Sequence, residues 1–163
     1  WAAALRSAAD SLGLKSALWA EPGRAIVASA AVTIYTVGGI KEIPGIRTYV
    51  SVDGGMSDNP RPIIYGSGYE TFVPRAVAAD RPRLIRLVGK HCESGDVLVR
   101  DGWVTNDLKV GDILATPVTG AYGHSMGSNY NKMPRPAVVF VRNGKARLVV
   151  RRELPEDLIR SDL

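Results

Sequence analysis

The 163-residue sequence has little of several residue types: one cysteine, two histidines, two phenylalanines and three methionines. One thiol cannot make an intrachain disulfide. That excludes a disulfide scaffold and suits a reducing, cytoplasmic setting. His91 and His124 stand far apart, with no ligand spacing around either, so no metal site is expected. No apolar run approaches the about 20 residues that cross a bilayer, and no membrane partner is expected. The opening stretch, Trp1–Leu12, lacks the basic start and cleavage pattern of a secretory leader. The 21 basic residues outnumber the 16 acidic ones, for a formal charge of +5. Yet the arginines are scattered singly, without basic runs or interleaved aromatics, which argues against nucleic acid as a partner. The first residue is Trp rather than Met. The chain is therefore expected to be a piece of a longer one.

What is present describes a globular chain. Hydrophobic residues make up 45% and charged residues 23%, enough for one sizeable core. Trp1–Leu12 reads as a helix stopped by Gly13, Lys15–Ala20 as a short strand, and Ala25–Val32 as a second helix. That is the rhythm of an α/β unit. After Val32 the pattern changes. The spacing predicts strands at Val32–Val37, Thr48–Asp53, Leu84–Val88, Val97–Arg100, Trp103–Thr105, Ile113–Val118, Ala137–Arg142 and Ala146–Arg151. Two-residue hairpin turns are expected at Asp101-Gly102 and Asn143-Gly144. A short helix over Pro155–Asp162 is expected to close the chain. Many short strands at close spacing point to a β-barrel or sandwich. The boundary falls near Val32. Residues 1–32 then belong to an α/β domain, and residues 33–163 form a mainly β domain.

Three loops do not read as scaffold. EPGR, Glu21 to Arg24, lies between a strand and a helix, where free N–H groups attract anions and Arg24 adds a charged donor. The competing reading is a plain proline-glycine turn. DGGMSDNPRPIIYG, Asp53 to Gly66, places Arg61 and Tyr65 four apart. If the segment is helical they share a face suited to a carboxylate; the alternative is a solvated loop. VTGAYGHSMGSNYNK, Val118 to Lys132, flanks Tyr122 with glycines and either brings a phenol to a ligand or simply crosses the surface.

The lone thiol, Cys92, sits in GKHCESGD, Gly89 to Asp96. A lone cysteine is commonly a small buried apolar residue. The polar, glycine-punctuated surroundings argue instead for a strand end. Nearby acids oppose thiolate formation, which harms a nucleophile and suits a proton donor.

Taken together and in this order, EPGR, DGGMSDNPRPIIYG, HCESGD and GAYGHSMGSNYN resemble the diaminopimelate decarboxylase family. These are pyridoxal-phosphate enzymes of the alanine-racemase-like fold type. Each motif alone is weakly specific; the four in sequence are strongly so, and they span Glu21 to Asn131. The resemblance implies an N-terminal α/β barrel followed by a C-terminal β domain, with only the last βα portion of the barrel present here. It implies a PLP-dependent carboxy-lyase of lysine biosynthesis, converting meso-2,6-diaminopimelate to L-lysine. It also implies a cytoplasmic homodimer in which the Cys and Glu loop of one subunit completes the site of the other. The family's Schiff-base lysine belongs to the barrel; Lys15 matches no such motif. The chain by itself is therefore expected to be inactive.

Residue by residue, Cys92 matches the family's proton donor, which returns a proton to the carbon that has lost its carboxylate. Glu93 matches the group that takes the far ammonium of the substrate. Arg24, Arg61 and Tyr65 match groups around the far carboxylate. Tyr122 matches a residue touching both cofactor and substrate, and Glu21, Pro22, Gly23 and Arg24 match the segment near the cofactor phosphate. Gly127, His124 and Val118 depart from the family pattern. One alternative is an ornithine- or arginine-type decarboxylase, but those relatives carry Asp directly after the cysteine and lack the equivalent of Arg61. The other is a non-catalytic β domain that serves only dimer association.

Overall fold

The computed structural model describes the whole chain, Trp1–Leu163. It opens on α1 (Ala2–Ser11), ended by Gly13 at a positive φ of 68°. Lys15–Ala20, expected as a strand, is irregular and exposed. β-branched and aromatic residues are few there, and no neighbouring strand pairs with it. The next helix, α2 (Arg24–Val27), is shorter than the sequence suggests and passes into a 3-10 turn over Ala28–Ala30.

The body of the molecule is a five-stranded mixed sheet in the order β4-β3-β2-β1-β5. Its strands are β1 (Val32–Ile43), β2 (Arg47–Val52), β3 (Arg83–Val88), β4 (Val97–Val104) and β5 (Ile113–Pro117). All pairs are antiparallel except β2 with β3. The parallel step explains the long excursion between those two strands, which carries α3 (Arg61–Tyr65). Alternation along the strands turns Tyr35, Val37, Val50, Val52, Ile85 and Leu87 into one buried cluster of twelve side chains, joined by Val99, Val104 and Leu114 among others.

The sheet curls like half a barrel. The segment Thr71–Val73 reaches both of its edges: Phe72 pairs with Ala115 on β5, and the Thr71 methyl packs against Gly102 on β4. This gives the mainly β architecture expected from the sequence, without a closed barrel.

One expected turn is absent. Asp101-Gly102 lies inside a continuous β4, opposite Ile85, at a bulge in the β3–β4 register. A Cβ on Gly102 would stand 2.9 Å from the Thr71 methyl. The glycine admits that close approach and does not reverse the chain. Asn143-Gly144, by contrast, has φ of 52° and 71° and joins β6 (Val138–Arg142) to β7 (Lys145–Val150) in a separate two-stranded sheet. Two further short helices complete the chain: α4 (Gly123–Met126) and α5 (Pro155–Leu158), the latter shorter than the expected Pro155–Asp162. No helix is long and apolar enough to cross a membrane.

Candidate active site

The first cluster forms around two arginines. The α2 segment docks on the chain after β5, where Gly120 donates to the Ala28 carbonyl and Thr119 to that of Ala31. A Cβ on Gly120 would collide with the Val27 carbonyl, so the approach depends on glycine there. The docking brings Gly23 and Arg24 against Tyr122. The Arg24 guanidinium lies 5.6 Å from the Tyr122 ring centroid, and a Cβ on Gly23 would run into the phenol oxygen. Tyr122 is itself held at a positive φ of 66°, flanked by Gly120 and Gly123.

Arg61 opens α3 and Tyr65 closes it. As their spacing predicts, they share a face, with the guanidinium 4.7 Å from the phenol ring centroid. Arg24 and Arg61 line one cleft of about 530 Å3 together with Ser67, Gly68, Tyr69 and Glu70. Arg24 Nη2 and Arg61 Nε are both buried and have no hydrogen-bond partner within the chain. Buried guanidinium nitrogens without acceptors are costly, and they favour an anion placed between them.

The second cluster lies where three loops meet, at Asp53–Asn59, Gly89–Asp96 and Gly127–Lys132. Cys92 is exposed, so the core reading of the thiol fails. Glu93 is exposed too and accepts a short hydrogen bond from the Tyr130 hydroxyl. That carboxylate pushes the Tyr130 phenol up from its ordinary value.

Asp96 was legible in the sequence only as an acid near the thiol. It is in fact 3% exposed and clamps two loops, accepting from the Met56 N–H at 2.7 Å and the His91 N–H at 2.9 Å. Its carboxylate fills the space where a Cβ on Gly55 or Gly89 would stand. The glycines of DGG and GKHC therefore serve a buried carboxylate, which answers to the polar composition of that loop.

His91 is also buried. Its Nε2 lies 2.9 Å from Ser57 Oγ, while Nδ1 is buried without a partner. Tyr130 is the other residue that sequence reasoning missed. The only signal in the sequence is its place in SNYN, Ser128 to Asn131. Gly127, one of the departures, ends α4 at a φ of −58°. A Cβ there would stand 3.2 Å from the His124 carbonyl, tight but open to small adjustment.

Cys92 and Glu93 do not line the Arg24–Arg61 cleft. Their loop instead reaches a second cleft, on which Ser94 and Gly95 face Pro62 and Ile63 of α3. The predicted site residues thus fall into two groups within one chain: Glu21–Arg24, Arg61, Tyr65 and Tyr122 in the first, Cys92 and Glu93 in the second. No group of three or more His, Cys, Asp or Glu side chains is arranged to hold a metal ion.

Comparison with known proteins follows the same lines. The profile of the pyridoxal-dependent decarboxylase C-terminal sheet domain matches residues 24–120. A diaminopimelate decarboxylase of Bacillus subtilis is 51% identical over 146 residues, which cover 90% of this chain and 33% of the relative. A crystal structure of diaminopimelate decarboxylase from M. jannaschii superposes with a TM-score of 0.79 at 36% identity, over 88% of this chain and 32% of that one. The Helicobacter pylori enzyme complexed with L-lysine gives 0.75 at 35% identity, over 86% and 34%. The chain spans about a third of the length of these relatives.

Proposed function

The chain belongs to the pyridoxal-dependent decarboxylases, and we propose that it supplies the C-terminal part of an enzyme that converts meso-2,6-diaminopimelate to L-lysine. The observation that carries this reading is the pair of buried, unpartnered guanidinium nitrogens on one cleft. The substrate has an amino-acid group at each end. The end that keeps its carboxylate needs cations for that carboxylate and an anion for its ammonium. Arg24 and Arg61 supply the cations, Tyr65 steadies Arg61, and Glu93 supplies the anion. A basic amino acid with no far carboxylate leaves both guanidinium nitrogens unpaired, and a site so built rejects it.

Pyridoxal phosphate, when bound, supplies the electron sink at the carbon that loses its carboxylate. The residues present fit it. Glu21, Pro22, Gly23 and Arg24 would lie at its phosphate end, where a glycine backbone with no Cβ closes on the Tyr122 phenol. Tyr122, packed against Gly23, would flank the ring. Cys92 then gives its thiol proton to the carbon after the carboxylate leaves, as general acid on one face. Being exposed on a loop held by Asp96, it can meet a ligand without opening the core.

Cys92 and Glu93 lie apart from the arginine cleft of their own chain, which favours a site shared between two copies in a homodimer. A soluble, cytoplasmic enzyme of lysine biosynthesis is in keeping with this reading. The boundary near Val32 is likewise a proposal: residues 1–32 belong to a barrel and 33–163 to the β domain.

The test is substrate choice by the whole decarboxylase. Carbon dioxide release from diaminopimelate, with none from ornithine, arginine or lysine, is the expected result. Equal release from ornithine overturns the assignment of Arg24 and Arg61 to a far carboxylate.

A further inference from the structure

Glu93 is an exposed side chain on an irregular loop, and left alone its carboxylate would sample several rotamers. It is not left alone. One oxygen accepts the Tyr130 hydroxyl proton in a short hydrogen bond. The Tyr130 ring in turn rests against the buried His91 ring, centroids 5.6 Å apart, and His91 Nε2 is joined to Ser57 Oγ at 2.9 Å. The turn that carries Tyr130 is itself fixed. Ser128 donates to the Ser57 carbonyl at 3.0 Å, and Asn131 and Lys132 adopt positive φ of 54° and 57°. Behind it, the Asn129 amide bonds the Met133 carbonyl at 3.0 Å and the Glu153 carboxylate at 2.6 Å, and Arg135 pairs with Glu153 at 2.6 Å. Two non-glycine residues in the left-handed region cost energy that the surrounding ties must offset. Such effort around a surface phenol has a use if the phenol's direction matters.

We propose that Tyr130 is a positioning residue for selectivity: anchored through His91 and Ser57, it holds the Glu93 carboxylate in the orientation that receives the far ammonium of the substrate. The inference rests on the reading of Glu93 given above. One carboxylate oxygen is engaged by the Tyr130 hydroxyl, and the other is left to accept from the substrate. A free Glu93 side chain would have to be ordered by the substrate, and the ordering cost would appear as weaker binding.

The experiment removes only the hydroxyl. Tyr130→Phe keeps the ring against His91, and an unchanged melting temperature checks that the fold is intact. In the whole decarboxylase, the specificity constants for diaminopimelate and for 2-aminopimelate, which lacks the far amino group, are compared. The variant is expected to lose about tenfold on diaminopimelate, chiefly in KM, and little on 2-aminopimelate. Equal losses on both substrates, or none on either, overturn the proposal.

A second readout is independent of activity. In the 163-residue chain, Glu93→Gln should lower the titration midpoint of the Tyr130 phenol, followed by carbon NMR of labelled tyrosine. An unmoved midpoint shows that the contact does not form and also overturns the proposal. If the wild-type enzyme does not prefer diaminopimelate over 2-aminopimelate while the phenol responds as expected, the role of Glu93 toward ammonium fails and the contact stands.

Discussion

The five-stranded sheet and the β6–β7 hairpin are made from the same kinds of residue and are held in different ways. Both are rich in valine and other apolar residues. The sheet turns one face inward and completes a cluster of twelve buried side chains. In the hairpin no residue is buried; Val139, Phe140, Val141, Leu148 and Val149 are all exposed. What fixes the hairpin's roots is ionic: Arg135 with Glu153, and Arg151 with Asp157. Strand chemistry decides that a segment is extended, and only a covering partner makes that segment a source of stability. The candidate site draws on both regions. Asp53–Asn59 and Gly89–Asp96 spring from the sheet, whereas the Tyr130 turn is tied to Glu153, just beyond the hairpin.

The largest effect should come from the sheet's centre. Leu87 is fully buried in the cluster, and Leu87→Ala is expected to cost about 2–5 kcal/mol in denaturant unfolding. A cost below that range would mean that the sheet, like the hairpin, is not tightly covered.

Next comes the clamp between the two sheet loops. Asp96→Asn replaces one accepting oxygen with an amide nitrogen facing the Met56 or His91 N–H. The expected cost is about 1–3 kcal/mol, with faster alkylation of Cys92 as its loop loosens. Loss of stability without faster labelling would place the effect of Asp96 elsewhere than on the Cys92 loop.

Acid should separate the two regions without mutation. Glu153 is held down to about 2 by Arg135, whose guanidinium and backbone N–H both bond it, with help from the Asn129 amide. Asp157 is held well below the carboxylate range by Arg151. A carboxylate depressed in the folded state stabilises it above the unfolded-state pKa, near 4.5 for Glu153, and that contribution fades as pH falls toward 2. Amide exchange in Asn129–Arg135 and around the hairpin should therefore rise over this window before that of β2 and β3. Simultaneous loss in both regions would remove the distinction.

The sequence made the strands legible because their alternation is local. Eight of the nine expected strand segments lie on β1–β7, and the pairing of Arg61 with Tyr65 followed from a spacing of four. It misled where a local signal served a distant contact. Asp101-Gly102 has the letters of a turn, yet Gly102 exists for Thr71, some thirty residues earlier in the chain. Lys15–Ala20 followed the rhythm of an α/β unit and has no strand beside it. Asp96 and Tyr130 escaped notice for the same reason. Their roles are contacts between loops that only the curled sheet brings together. Arg24, Arg61, Cys92 and Glu93 became candidates because they sit in motifs that a resemblance could read.

The smallest effect is also the sharpest comparison, because one substitution can be made in both regions. Valine to threonine keeps size and β-branching and exchanges a methyl for a hydroxyl. At Val99, 2% exposed in β4, the hydroxyl enters the apolar cluster without a partner and should cost about 1–3 kcal/mol. At Val141, 73% exposed in β6 opposite Ala146, the hydroxyl stays in water. The change there should be within about 0.5 kcal/mol. Both variants are compared by urea unfolding of the 163-residue chain and then of the whole decarboxylase. Equal small costs in the chain would deny the sheet its tight core. A Val141→Thr cost that stays small in the chain and grows in the whole decarboxylase would show that the rest of the enzyme covers the hairpin. A small cost in both would leave the hairpin a surface ribbon whose work is done at its root, where Glu153 holds the turn of Tyr130.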